Sequence, residues 1–299
     1  MKKLIVLLLV VLLILMAFPR DSHAGPWTLK KGKIWGEVFF RYFFAKHYFD
    51  PKAEKHRWGD GGFSEIYDLE IKGEYGVTDR LNLLLGIPYA WSNWKNDWGI
   101  VNPLWGKFKH EGFKEINFGA KYKFTDKPLV IAGQVKVYID TGPDETKQPD
   151  LYEYGSGVEP RILIGKSWRM WKKMTYVSFE TGYHFRSDWA NEDDYGNHVP
   201  IFAEAGFAPF NWLMIKGEVD TIISDPDTGI RKDTFTWRAG PIIKLIGEGF
   251  NSVTKGGEQS LNLEFLYGIT AWGRGDGRTE RYQNVSSAQE FIMKVSALF

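Results

Sequence analysis

Histidine offers the first chemistry to test in this sequence. A nucleophile and its base on one strand face would require Ser two residues from His. The contexts "HYF", "HRW", "HEG", "HFR" and "HVP" lack it, and "HFRS" sets His184 and Ser187 on opposite faces. Nucleophile and base must come within hydrogen-bond reach, so no catalytic residue and no enzyme is expected. His184 and His198 are better placed for a divalent metal. They are expected on neighbouring antiparallel strands with the same parity, below a loop carrying Glu192, Asp193 and Asp194. Imidazole with carboxylate suits such an ion, although solvated loop acids produce the same pattern without one. With no cysteine, thiolate metal sites and disulfides are excluded, and no cofactor is expected.

A larger ionisable set recurs at alternate positions, opposite an apolar face. It comprises Arg41, Asp68, Glu70, Lys72, Lys121, Lys136, Glu159, Arg161, Glu180, His184, Glu204, Lys216, Glu218, Arg238, Glu264 and Lys294. Two chemistries are open to such a face. Buried ions need partners, so the set can form a cross-strand ion-pair lattice that holds a tight barrel shut. It can equally line a narrow polar channel whose charges select solutes. A barrel of this size is filled or open according to side-chain bulk.

The elements that would carry these residues read as strands. "KIWGEVFFRYFFAKH" puts Ile34, Val38, Phe40, Tyr42 and Phe44 on one parity and Glu37, Arg41 and His47 on the other. That is a period of two. "FSEIYDLEIKGEYG" repeats it, and "LNLLLGIPYAW" places Leu81, Leu83, Leu85, Ile87, Tyr89 and Trp91 on one face. Further segments lie near 113–124, 129–140, 154–167, 174–187, 198–208, 212–224, 233–246, 260–274 and 288–299. About twelve strands result, each long enough to cross a bilayer when tilted. Short links at 77–80, 125–128, 168–173 and 208–211 alternate with longer polar ones, including 48–62 and 92–112. Short turns at one end and long loops at the other are the arrangement of outer-membrane barrels. The stretch 247–259 is long for a short-turn position and is the weakest point of the count. The expected fold is therefore all-β, a transmembrane antiparallel up-and-down barrel of about twelve strands.

Both ends of the chain fit that reading. "MKK", the apolar run Leu4–Phe18 and the small-x-small site Ser22-His23-Ala24 form a signal peptide. Residues 1–24 are expected to be cleaved, leaving 25–299 as the barrel. Their removal takes away three basic side chains and one acid, moving the formal net charge from +1 to −1. Neither value suggests nucleic acid, and no basic run stands out. Aromatics make up 16% of the chain while its mean hydropathy is −0.31, as lipid-facing positions alternating with polar ones produce. The sequence ends on "QEFIMKVSALF", an amphipathic strand closed by Phe299. In a closed barrel this strand pairs with the first. A terminal strand ending in Phe299 also resembles the signal that outer-membrane barrels present to their assembly machinery, so that machinery and periplasmic chaperones are expected partners.

At 73–91, "GEYGVTDRLNLLLGIPYAW", the chain resembles the outer-membrane family named for the MetA pathway of phenol degradation. Tyr75, Gly76, Thr78, Asp79, Arg80, Leu81, Pro88 and Tyr89 match that family's turn and strand. "GFKEINFGAKYKF" and "GQVKVYIDTGPDE" resemble the strands that follow, with a Pro inserted in the loop. The turn has a physical reason, since Asp at such a position bonds its own backbone and Gly precedes it. The resemblance implies an outer-membrane location and a link to aromatic-compound uptake. The expected function is a channel-like barrel admitting small solutes, aromatic or other hydrophobic compounds among them, in contact with outer-membrane lipid. The alternative is a closed structural or surface-interaction barrel acting through its external loops. The segment 92–110, with Trp94, Trp98 and Trp105, is its strongest motive.

Overall fold

The computed structural model describes residues 25–58, 62–96, 106–141, 156–186, 196–225, 228, 232–250, 260–274 and 285–299. Residues 1–24, Trp98, Trp105 and the acids at 192–194 lie outside the described residues. Fifteen strand segments follow one another: β1 (Ile34–Phe49), β2 (Lys55–Arg57), β3 (Phe63–Gly76), β4 (Leu81–Asn96), β5 (Gly106–Phe113), β6 (Ile116–Thr125), β7 (Val130–Ile139), β8 (Gly157–Met170), β9 (Lys173–Gly182), β10 (Phe185–Arg186), β11 (His198–Phe207), β12 (Leu213–Ser224), β13 (Asp233–Ile246), β14 (Ser260–Arg274) and β15 (Val285–Leu298). β5 and β6 form one interrupted stave, β9 and β10 another, and β2 is a short appendage on β1. The barrel thus has twelve staves.

Every pairing is antiparallel between staves adjacent in the chain. The ring closes where β1 meets β15, from Trp35↔Leu298 to Phe49↔Val285. Closure leaves no sheet edge, the condition for strands to lie in hydrocarbon. Phe299 joins it, donating its N–H to Ile34 O at 2.6 Å and accepting from Ile34 N at 3.1 Å. Its ring lies beside Gly36.

The pleat sorts side chains as the alternation requires. Ile71, Leu83, Leu85, Val135 and Ile215 point outward and are about half exposed, an apolar surface suited to lipid rather than water. Aromatic rings gather at two levels of this exterior. Tyr42 packs with Tyr67, and Tyr89 with Trp91 and Phe113, near the long-loop end. Tyr122 with Phe124, and Phe210 with Trp212, mark the short-turn end. Two such girdles are what membrane barrels display.

Three local expectations change. The segment 92–110 is not one loop, because β4 continues to Asn96 and β5 starts at Gly106. Trp94 is therefore a strand residue opposite Phe108; alternation extended by paired backbone outweighs its aromatic-loop composition. Near His47 the register shifts between Ala45 and His47, so the parity read through "FFAKH" fails at that bulge. Finally, the link at 168–173 contracts to two residues, Trp171 and Lys172, at φ of 52° and 65°.

Candidate functional site: the lumen

The inward face of the staves carries a connected set of ion pairs. Lys216 Nζ lies 3.1 Å from Glu204, 3.0 Å from Glu218 and 3.1 Å from Glu264. Lys294 Nζ shares Glu264 at 2.9 Å. Glu204 stands directly opposite Glu218 in the β11–β12 register. Facing carboxylates repel, and the ammonium between them makes that register tolerable. Arg238 continues the network to Glu218 at 3.2 Å, Asp220 at 3.2 Å and Glu290 at 2.5 Å. Glu290 also reaches Arg41 at 3.6 Å, and Arg41 holds Asp68 at 2.5 Å. The lattice therefore runs across the β15–β1 closure and locks it from inside.

A second group continues around the wall from β1 and β3 to β9. Lys72 bridges Glu37 at 3.4 Å and Glu70 at 3.3 Å. Arg161 holds Glu159 at 2.7 Å and Glu180 at 3.5 Å. Lys136 stands opposite Glu159 in the β7–β8 register. Lys121 sits lower, 2.8 Å from Glu74, whose carboxylate also accepts from Asn82. His184 stacks on His198, ring centroids 4.8 Å apart, and leans on Glu159. Of the ionisable candidates, Arg41, Glu70, Lys72, Lys121, Lys136, Glu180, Glu204, Lys216, Glu218, Arg238, Glu264 and Lys294 line one cavity, while Asp68, Glu159, Arg161 and His184 are held in ion pairs beside it. Glu37, Glu74, Asp220 and Glu290 belong to the same lattice. Their parity could have named them.

A chain segment that no periodicity announces enters this lumen from the short-turn end. Residues 25–33 precede β1 and pack against the inner wall. Gly25 O accepts a hydrogen bond from Lys121 Nζ at 3.1 Å. Trp27 meets the Tyr176 ring edge-on at 5.9 Å. Pro26 is fully buried against Gly165, where a Cβ would fall 2.5 Å from its ring. Leu29 packs with Trp35 and Leu298.

The turn at 77–80 holds that segment. Thr78 Oγ1 accepts from the N–H groups of Arg80 and Leu81, so Thr rather than Asp caps the turn. Asp79 instead accepts from Lys31 N at 2.9 Å, and its carbonyl accepts from Thr28 Oγ1 at 2.8 Å. Gly76 O accepts from Gly32 N at 2.7 Å. Any side chain at Gly76 would strike Lys30 O at 2.3 Å. The self-bonding role expected of Asp79 is replaced by a clasp on a distant segment.

Between this segment and the wall lies a cavity of about 740 Å³. Its surface combines the ion-pair lattice with Trp27, Phe39, Leu163, Met174, Phe202 and Met214. Lys72 Nζ lies 4.7 Å from the Phe39 ring centroid, so some of the inward charge is carried on aromatic faces.

With this geometry established, likeness to known proteins can be placed. No protein-family model matches the chain, and no curated protein matches it. The resemblance of residues 73–91 to the phenol-degradation family gains no support from either. Among solved structures, the COG4313 outer membrane channel from Pseudomonas putida F1 superposes with a TM-score of 0.65. The match is 13% identical and covers 94% of this chain and 100% of that one. A FadL homologue from Pseudomonas aeruginosa matches at a TM-score of 0.39 with 9% identity, covering 90% of each chain. The architecture is that of an outer-membrane barrel.

Proposed function

We propose that this chain is an outer-membrane channel that admits small solutes, aromatic or other hydrophobic compounds among them. The cavity beside residues 25–29 carries this reading. It holds a volume suited to a small organic molecule, lined partly by aromatic and aliphatic side chains and bounded by a segment rather than a stave. The outward apolar belt supports residence in lipid, and the fold shared with an outer-membrane channel supports the architecture. On this reading the chain is exported with residues 1–24 as a cleaved leader. The barrel assembly machinery inserts it, with periplasmic chaperones as escorts, and it performs no catalysis.

One observation favours the second reading, a closed barrel acting through its external loops. The ion pairs around Lys216 and Arg238 satisfy one another and need no solute. Conductance separates the two. Purified chain 25–299 in planar bilayers should give small, weakly selective conductance, because both charge signs line the wall. Removing residues 25–31 should raise it severalfold, and liposomes should then take up a monoaromatic probe faster than a sugar of similar size. Silence from both forms would eliminate the channel reading.

A further inference from the structure

We propose that His184 and His198 form a divalent transition-metal site on the lumen wall, with Glu159 orienting the first imidazole. The site begins with backbone geometry. β9 ends at Gly182 and β10 resumes at Phe185, and in the gap His184 and His198 form an isolated antiparallel bridge. His184 N donates to His198 O at 2.8 Å, and His198 N donates to His184 O at 3.3 Å. That bridge sets two imidazoles on one face, stacked 14° from parallel.

The hydrogen bonds then assign the ring nitrogens. His184 Nδ1 lies 3.2 Å from Glu159 Oε2. Glu159 is itself fixed through Oε1, which accepts from Arg161 Nε at 2.7 Å and from Tyr138 OH at 3.0 Å. A carboxylate so anchored keeps the proton on Nδ1 and leaves the Nε2 lone pair for a ligand. That is the carboxylate–histidine–metal relation that orients metal-bound imidazoles. Nε2 is buried and has no hydrogen-bond partner among the described residues. Buried polar atoms without partners are rare, and a metal ion would satisfy this one. Gly157 faces it, and a Cβ there would stand 2.6 Å from Nε2, so only glycine leaves that approach open.

Ligand atoms of Glu159, His184 and His198 all lie within 4.8 Å of one another. With metal–nitrogen bonds of about 2.0–2.1 Å, a tetrahedral ion sets two ligand nitrogens roughly 3.3 Å apart, so the stacked rings must tilt toward each other to share it. Water would fill the remaining positions of a bound ion. All three residues are buried, unlike the partly exposed group Asp50, Glu54 and His56 outside the barrel. Imidazole pairs favour Cu²⁺ and Zn²⁺ over Mg²⁺ or Ca²⁺.

The test uses the folded full barrel, 25–299, in detergent. Cu²⁺ alone should bind with one equivalent, and its electron paramagnetic resonance spectrum should show hyperfine coupling to two imidazole nitrogens. Zn²⁺ should compete with it. His198→Gln should weaken Cu²⁺ binding at least tenfold and leave one-nitrogen coupling. Glu159→Gln should weaken it about 10–100-fold while keeping two nitrogens. His56→Gln should change neither. Heat-modifiable mobility on gels verifies that each variant is folded. Binding unaltered in His198→Gln, or abolished by His56→Gln, would overturn the proposal, as would failure of the wild-type barrel to bind Cu²⁺.

Discussion

Gly76 and Asp79 show how much one turn residue can do beyond its turn. Both were legible as turn formers, but the sequence held no sign that they face residues 28–32, since that contact depends on barrel closure. Gly76→Ala would drive a methyl group into Lys30 O. It should cost about 1–3 kcal/mol by overpacking, read as a lower urea midpoint, and should loosen residues 25–33 to proteolysis. Asp79→Ala removes one exposed bond and should cost about 1 kcal/mol or less. Equal losses from both would show that the clasp, not the close approach at Gly76, governs the segment. The lattice acids make a stronger case. Replacing Glu218 and Glu264 together by Gln leaves Lys216 with Glu204 alone as its carboxylate partner. It also takes from Lys294 the two carboxylates it reaches. Breaking buried pairs from one side costs about 3–5 kcal/mol when desolvation is complete, so the unfolding midpoint should fall sharply. If the lumen conducts, its selectivity should also move toward anions. An unchanged midpoint would show that water screens these pairs.

Alternation made the staves readable because it follows from the pleat, which tertiary context cannot change. It could not announce where strands outrun the membrane, as β4 and β5 do, because paired backbone tolerates any composition there. Depth, too, comes from register rather than from pattern. Ile71 lies midway along β3 between Tyr67 and Tyr75, and pairs with Val38 and Ile87. Ile71→Arg should therefore cost about 2–4 kcal/mol, the range for a midplane cation facing lipid. Leu83 pairs with Tyr75 at the short-turn end of β3, and an Arg there should cost about 0–1 kcal/mol. Refolding into lipid vesicles at a series of urea concentrations measures both, and equal costs would remove the girdle assignment. The two-residue link between β8 and β9 belongs to the same scale. Trp171 and Lys172 both hold positive φ, the demand of a tight hairpin turn usually met by Asn-Gly. Lys172→Gly should raise stability by about 1 kcal/mol, since a side chain in that region is strained. A lower midpoint would mean that the lysine makes a compensating contact with lipid headgroups.

For the whole molecule, closure is the property that the sequence announced most directly, through a final strand whose apolar parity ends on an aromatic ring. Phe299 completes the bonds to Ile34 and lies beside Gly36. Deleting it should reduce heat-modifiable, membrane-inserted protein and increase the periplasmic fraction, as followed by fractionation and gel mobility. Unchanged insertion would leave Phe299 with a structural role alone. What the sequence could not disclose is the content of the barrel. Residues 25–33 carry no period, and their partners are scattered over six staves and the 77–80 turn.

That scattering has a consequence for the order of folding. Gly25 is held by Lys121, Pro26 by Gly165 and Trp27 by Tyr176, residues from β6, β8 and β9 that follow far behind in the chain. Contacts so distant in sequence carry a heavy loop-closure cost until the wall between them exists. Residues 25–27 are therefore among the last to find their places. An assembling barrel passes through a stage that is sealed around its circumference but still vacant along its axis.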